Sequence, residues 1–300
     1  MAKHLITVIG PTAIGKTALA IKLATHFNCD IISCDSRQFY KEMTIGTAVP
    51  DDEELAAATH HFIHNKSIFD SYSVGDFEKE AIAKLDKLFL ANDFAILVGG
   101  SGLYVDAVLK GFDDFPEVSE PVRNQVRNDY EKSGIGYLQE ALQKLDPDYF
   151  STVDTENPQR MMRALEICIG TGKPYSSFLS QKKNTRSFSP IVIGLEAERQ
   201  IMYDRINHRV DLMMEAGLLA EAEKLYPNKT LNALQTVGYR ELFSYFDGDF
   251  TLEFAISEIK KNTRRFAKRQ MTWFKRMENA KWFDFHSDSD AIIAYLENNL

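Results

Sequence analysis

The sequence predicts an α/β protein: a P-loop NTPase-like parallel sheet flanked by helices, carrying an all-helical insertion domain. Three observations predict it. The apolar, β-branched run Leu5–Ile9 stops at Gly10-Pro11-Thr12-Ala13-Ile14-Gly15-Lys16-Thr17, a G-x-x-x-x-G-K-T loop that leads into a helical stretch. The first hundred residues alternate strand and helix patterns, which implies a parallel, doubly wound sheet. From Val122 to about Gly170 only helical periods occur, before a further strand pattern returns at Pro190.

Taken in order, Leu5–Ile9 reads as a buried parallel strand, because both of its faces are apolar. Thr17–Ala24 reads as a helix, with Leu19 and Leu23 one turn apart. Asp30–Cys34 is a second strand and Asp51–Thr59 a Glu- and Ala-rich helix. Val74–Asn92 is a long amphipathic helix with Phe77, Ile82, Leu85, Leu88 and Phe89 at its apolar positions. Phe94–Val98 is a third buried strand, ending at Gly99-Gly100. Phe112–Pro116 reads as a linker, and Ser119-Glu120-Pro121 as a helix start. Leu138, Leu142 and Leu145 carry the helical period that follows. Lys182–Ser189 is polar and expected to be mobile, Pro190–Leu195 is another strand, and helices run on through Arg276 to a short segment near Trp282–Phe285. The expected domains are a first core part over 1–114, the helical insertion over 115–187, and a return to the core over 188–300.

The 300 residues, 44% hydrophobic and 26% charged, suit a globular protein with a core of useful size. No apolar stretch approaches a membrane span, and the N-terminal apolar run flows straight into the phosphate loop without a signal-peptide pattern. Three cysteines, Cys29, Cys34 and Cys168, form no C-x-x-C pair, so no structural zinc and a reducing, cytoplasmic location are expected. The net charge of −8 argues against nucleic acid, but it hides a local asymmetry. Residues 259–276 hold Lys260, Lys261, Arg264, Arg265, Lys268, Arg269, Lys275 and Arg276 with no acid among them. Phe266, Trp273 and Phe274 are interleaved, which makes this helix a candidate contact for phosphates or RNA.

The chemistry-bearing residues gather at strand ends, where α/β sheets place ligands. In the phosphate loop the glycines let successive N–H groups point into one hollow, Lys16 adds a cation and the Thr17 hydroxyl is a candidate Mg²⁺ ligand. The helix N-terminus near Thr17 adds its positive end. Asp35-Ser36-Arg37-Gln38 follows the second strand; its carboxylate suits either Mg²⁺ or proton abstraction, and Arg37 and Gln38 suit a base edge or a phosphate. The third strand ends in Gly99-Gly100-Ser101, not in the acid that a hydrolytic P-loop enzyme often uses to order Mg²⁺ and water. His60, His61 and His64 have no spacing of a closed metal site, so packing roles are expected. Met161-Met162 reads as core filler from composition alone.

These three motifs together resemble the tRNA dimethylallyltransferases, also called tRNA isopentenyltransferases. Further segments agree in order: Ile45-Gly46-Thr47-Ala48, His60-His61, Tyr72–Phe77, Asn157–Glu166, Gln235–Glu241 and Thr263–Phe274. The resemblance spans roughly residues 5 to 285. Two departures are small: Ser101 stands where the family usually has Thr, and Ile14 where Ser is common. The chain carries no Cys/His zinc module of the eukaryotic members, so the bacterial form is expected.

The resemblance implies transfer of a dimethylallyl group from dimethylallyl diphosphate to the exocyclic N6 amine of the adenosine 3′ of the anticodon. It implies Gly10 through Thr17 as the diphosphate cradle, with Mg²⁺ at Thr17, and a catalytic set of Asp35, Thr17 and Arg209. Asp35 would be the general base and Arg209 a stabiliser of the departing diphosphate. Asp35, Ser36, Arg37, Gln38, Ser101, Arg123, Gln159, Arg160, Met161, Met162 and Arg163 match the family's tRNA-contact positions. The implied partners are the anticodon stem-loop of tRNA and dimethylallyl diphosphate, with a monomer and no membrane expected. Two other readings stay open on the residues alone: a P-loop small-molecule or nucleoside kinase, and an NTP-gated RNA-binding protein. The basic stretch favours RNA over the kinase, and the glycine ending at Gly99-Gly100 disfavours NTP hydrolysis.

Overall fold

The structure, a computed structural model, describes residues 2–113, 115–179 and 186–299. Its centre is a six-stranded, all-parallel sheet among the described residues. The strands are β1 (His4–Ile9), β2 (Ile31–Ser33), β3 (His60–His61), β4 (Phe94–Val98), β5 (Ser189–Glu196) and β6 (Ala280–Asp284), in the order β3-β2-β4-β1-β5-β6. β1 is central; Leu5 pairs with Ala95 and Pro190, and Thr7 with Leu97 and Val192. Its residues Leu5, Ile6, Val8 and Ile9 are fully buried, as a strand covered on both faces requires.

One face of the sheet packs on α3 (Val74–Ala91) and α4 (Gly102–Lys110), through Phe77, Ala81, Leu85, Val105 and Val108. The other packs on α1 (Lys16–Phe27), through Leu19, Ala20 and Leu23, and on α12 (Ser289–Glu297), through Ile292 and Leu296. α2 (Asp52–Ala57) opens on a capping box between Asp51 and Glu54. α3 opens on another between Ser73 and Asp76, and its Phe77, Ala81, Leu85 and Phe89 form the buried stripe.

The described residues form two compact units, one within Met1–Lys110 plus Thr185–Leu300 and the other within Gly111–Asn184. The second unit contains α5 (Glu120–Leu145), broken at Gly134 where φ is 71°, α6 (Pro147–Phe150) and α7 (Pro158–Thr171). Its core is Val126, Leu138, Leu142, Met161, Ala164 and Leu165. In the first unit, α8 (Arg199–Glu215), α9 (Leu218–Leu225), α10 (Tyr239–Phe246) and α11 (Leu252–Phe274) follow β5. Leu218, Ala222, Tyr239, Leu242 and Ile259 close a further core beneath the loop at Tyr40–Met43.

Several expectations need correction. β3 had no strand pattern: it is two histidines long and pairs with Ile31 and Ile32 at the sheet edge. The segment near Trp282 is a full strand, β6, and Gly194 of β5 leaves the space that the Trp282 ring fills. Of the stretch expected to be mobile, Lys182–Thr185 lies outside the described residues. Arg186 is anchored: its Nη2 donates to Glu78 Oε1 and to the Ala107 carbonyl, each at 2.7 Å, and Phe188 is buried. No helix among the described residues is long and apolar enough to cross a membrane.

Candidate active site

The phosphate loop joins β1 to α1. Gly10 has φ 147° and Gly15 φ 104°, and a Cβ at Gly10 would lie 2.6 Å from the Leu195 carbonyl oxygen. Glycine is therefore needed there for close packing as well as for backbone freedom. Ala13 also has positive φ, 64°, and its carbonyl accepts Arg205 Nε at 2.8 Å. Lys16 Nζ donates to the Pro11 carbonyl at 2.7 Å. Burial and the neighbouring Arg209 guanidinium bring the Lys16 pKa down to about 8, against a smaller opposing pull from Asp35. Burial also lowers the pKa of Arg209, with Asp35 opposing.

At the end of β2, Asp35 Oδ1 accepts the Arg37 N–H at 2.9 Å, a local turn bond that fixes the carboxylate. Gly99 lets β4 cross close by: a Cβ there would meet Cys34 Sγ at 2.5 Å. Ser101 Oγ accepts the Ser36 N–H and donates to Ser36 Oγ, both at 3.1 Å. Arg37 Nη1 reaches the Asn232 carbonyl at 3.0 Å.

Two cavities meet at this strand end. The smaller, about 80 Å³, is lined by Thr12, Lys16, Thr17, Asp35, Gly100 and Arg209, with Gln38 and His60 further along. The larger, about 330 Å³, is lined by Ser36, Arg37, Ser101, Arg240, Thr263 and Arg269 together with an apolar wall of Ile206, Val210, Met213 and Ile259. Thr12, Asp35, Thr47, Ala48, Arg209 and Phe266 line both. The general-base candidate and the arginine candidate therefore stand on the boundary between a phosphate loop and a roomier, partly apolar chamber.

The donor set in the smaller cavity fits Mg²⁺. Among the described residues no three His, Cys, Asp or Glu side chains gather as a metal cage. The Thr17 hydroxyl and the Asp35 carboxylate line one cavity, and Mg²⁺ is commonly held by few protein oxygens plus substrate phosphates and water.

Other predicted residues fare differently. Both ends of the Gln38 amide are engaged by the protein: Oε1 accepts Ser33 Oγ at 3.1 Å, and Nε2 donates to the Ala48 carbonyl at 2.9 Å. This braces the 47–48 loop and leaves Gln38 less free to read a base than expected. Gln159 and Arg160 are exposed on the first turn of α7, which Asn157 caps by accepting the Arg160 N–H at 3.2 Å. Arg163 pairs with Glu166 at 3.3 Å and Arg123 with Glu120 at 3.6 Å. Met161 is fully buried, and its side chain packs in the core of the second unit. Met162 is partly buried against the same core.

The basic helix also needs correction. Residues 259–276 contain no acid, but the fold brings acids to several of its lysines. Lys260 pairs with Asp211 at 2.6 Å, Lys261 with Glu258 at 2.8 Å and Lys275 with Glu196 at 2.7 Å. Arg264 donates to Asn207 Oδ1 at 2.6 Å. Lys268, Arg269 and Arg276 are exposed and have no carboxylate partner among the described residues, so the cationic face is narrower than the sequence suggests.

Sequence reasoning gave no role to two residues. Glu221 on α9 accepts the N–H groups of Thr44 (3.0 Å), Ile45 (2.8 Å) and Gly46 (2.9 Å) and the Tyr239 hydroxyl (2.6 Å). It thereby pins the turn that leads into the shared wall at Thr47–Ala48. Gln270 on α11 accepts the Thr12 N–H at 2.9 Å and donates to the Gly100 carbonyl at 2.8 Å. Glu221 was a lone acid in the sequence, and Gln270 stood in the matching segment Thr263–Phe274 with no role attached, each far along the chain from its partners.

The IPP transferase family model matches residues 38–277. The chain belongs to the IPP transferase family. A relative from Flavobacterium johnsoniae named tRNA dimethylallyltransferase is 69% identical, covering 99% of this chain and 98% of its own length. One of that name from Christiangramia forsetii is 61% identical over 100% of this chain and 99% of its own. Among solved structures, the full-length tRNA isopentenylpyrophosphate transferase of Bacillus halodurans has TM-score 0.73 at 38% identity, covering 99% of this chain and 95% of that one. A eukaryotic dimethylallyltransferase described as acting on tRNA has TM-score 0.83 at 25% identity, covering 99% and 80%. The family is therefore one of transferases built on this parallel α/β fold.

Proposed function

We propose that this chain transfers the dimethylallyl group of dimethylallyl diphosphate to the N6 amine of the adenosine 3′ of the anticodon in tRNA. The observation that carries the reading is the shared boundary of the two cavities, with Asp35 and Arg209 on it. One cavity holds the phosphate loop and suits a diphosphate; the other has polar and apolar walls and room for a flipped base. A base reaches such a site most cheaply from a single-stranded loop.

In the reaction the allylic C–O bond breaks and an N6–C bond forms. Negative charge grows on the departing diphosphate, where the loop N–H groups, Lys16, Arg209 and the start of α1 stabilise it. Asp35 takes the proton that N6 releases, and a base so positioned contributes about 10²–10⁴ in rate. Its Oδ1 is held by the Arg37 N–H, while Oδ2 has no protein hydrogen bond among the described residues. Mg²⁺, held at Thr17, would neutralise diphosphate charge. Gln159, Arg160 and Arg163 on α7 and Lys268 and Arg269 on α11 are cations and polar groups suited to the stem-loop backbone.

The test is incubation of the purified chain with unmodified tRNA and radiolabelled dimethylallyl diphosphate. Label should enter the RNA at the adenosine 3′ of the anticodon. RNA left unlabelled by a folded, diphosphate-binding chain would overturn the reading.

A further inference from the structure

We infer that Gln270 is a positioning residue for the phosphate loop, fastening the loop and the end of β4 to the helix that carries the exposed cations. The inference rests on the proposed diphosphate role of the loop. Gln270 is 6% exposed, and its amide makes one bond in each direction. Its Oε1 accepts the Thr12 N–H from the loop, and its Nε2 donates to the Gly100 carbonyl at the end of β4. Thr12 and Gly100 are 258 and 170 residues away in sequence, so this one side chain ties three separate segments.

The neighbouring glycine is shaped around it. A Cβ at Gly100 would sit 2.3 Å from Gln270 Nε2 and 3.9 Å from Lys16 Nζ, so the amide lies in the same small space as the loop lysine. One turn further on, Trp273 Nε1 donates to Asp106 Oδ2 at 2.8 Å, and a Cβ at Gly102 would strike the Trp273 ring at 2.4 Å. α11 is thus seated against the β4–α4 segment by two side chains, and of the two Gln270 extends to the loop.

The physical role follows from the bond directions. Thr12 lies early in the loop, before the N–H groups of Gly15, Lys16 and Thr17 that curl around an anion. Holding Thr12 N–H on a fixed carbonyl oxygen sets the plane from which that curl starts. Without it, the buried Gly100 carbonyl and the half-buried Thr12 N–H lose their partners, and the loop must find its anion-binding geometry at the expense of affinity. α11 also bears Lys268, which is exposed, and Arg269, which lines the larger cavity, so the helix suited to the RNA backbone also supports the diphosphate loop.

The test compares Gln270→Met, which keeps the volume and removes both bonds, with Gln270→Glu, which keeps an acceptor for Thr12 but faces Gly100 with a carboxylate. Inorganic pyrophosphate binding, measured calorimetrically with Mg²⁺ and no RNA, should weaken about tenfold or more in Gln270→Met, the scale of one lost buried hydrogen bond. Gln270→Glu should weaken it further, because its charge opposes the ligand. The KM for dimethylallyl diphosphate should rise in parallel while the KM for an anticodon stem-loop stays within about twofold. Amide exchange on the unsubstituted chain should show Thr12 N–H protected before any diphosphate is added, which keeps the test alive should a variant not fold. Pyrophosphate affinity within twofold of the unsubstituted chain, an equal rise in both KM values, or an unprotected Thr12 amide would overturn the inference. The pyrophosphate arm needs no prenyl transfer, so its outcome is separable from failure of the proposed activity.

Discussion

Diphosphate affinity should fall as pH rises through about 8, because Lys16 loses its charge there in the free protein. Burial and the adjacent Arg209 hold its pKa at about 8, against 10.5 for a free lysine. A bound polyanion favours the charged form, so the pKa rises on binding and the complex takes up a proton near and above pH 8. At pH 7 about nine tenths of the free lysine is charged, and at pH 9 about one tenth, from the position of the pKa. If only the charged form binds, affinity falls about tenfold between these points, about 1.4 kcal/mol. The assay is calorimetric titration of inorganic pyrophosphate with Mg²⁺ from pH 6.5 to 9.5 in buffers of different ionisation enthalpy, which counts the protons taken up. Lys16→Met, titrated alongside, subtracts the ionisation of pyrophosphate itself. Affinity should be lower in the variant at pH 7, and the gap to the unsubstituted chain should narrow by about tenfold between pH 7 and pH 9. A constant ratio of the two affinities across that range, or no proton uptake near pH 8, would refute the assignment of a lowered Lys16 pKa to this site.

Three further outcomes follow from the geometry. Asp35→Asn keeps an acceptor for the Arg37 N–H but loses the base, so single-turnover transfer should slow by about 10²–10⁴. Pyrophosphate affinity should stay within about threefold, and a large loss would instead make Asp35 chiefly a Mg²⁺ ligand. Lys268→Gln should reduce the slope of log affinity for an RNA stem-loop against log salt by about 0.7–0.9, one phosphate contact, whereas Lys260→Gln should leave it unchanged because Asp211 already neutralises Lys260. Glu221→Ala abandons three N–H groups and the Tyr239 hydroxyl, and should lower stability by about 1–3 kcal/mol in thermal or denaturant unfolding.

What was legible in the sequence was what local chemistry determines. The phosphate loop is a continuous backbone device, and its glycines, lysine and threonine are read from eight adjacent residues. β1, β4 and β5 are buried on both faces and therefore appear as unbroken apolar runs, and α3 carries its apolar stripe and capping box in one segment. The misses involve distance or shortness. β3 is two histidines whose strand character comes only from pairing with β2. β6 is only partly buried, so its composition resembles a loop until Gly194 makes room for Trp282. The basic helix looked unneutralised because Asp211 and Glu196 come from other elements. Met161 was placed at an RNA contact by its neighbours in the motif, yet its position on α7 turns it inward while Gln159 and Arg160 stay exposed. Gln270 and Glu221 act only through partners far along the chain, so even the matching segment Thr263–Phe274 that contains Gln270 gave it no role.

The central claim is that diphosphate and base approach Asp35 from two cavities with a shared wall. The most direct measurement is a crystal structure with an unreactive thiolodiphosphate analogue of the donor and an anticodon stem-loop bound together. The account predicts the diphosphate on the Gly10–Thr17 loop, the adenine in the larger chamber, and N6 within hydrogen-bond reach of Asp35. A base stacked outside that chamber, or a diphosphate held away from Lys16 and Arg209, would contradict it.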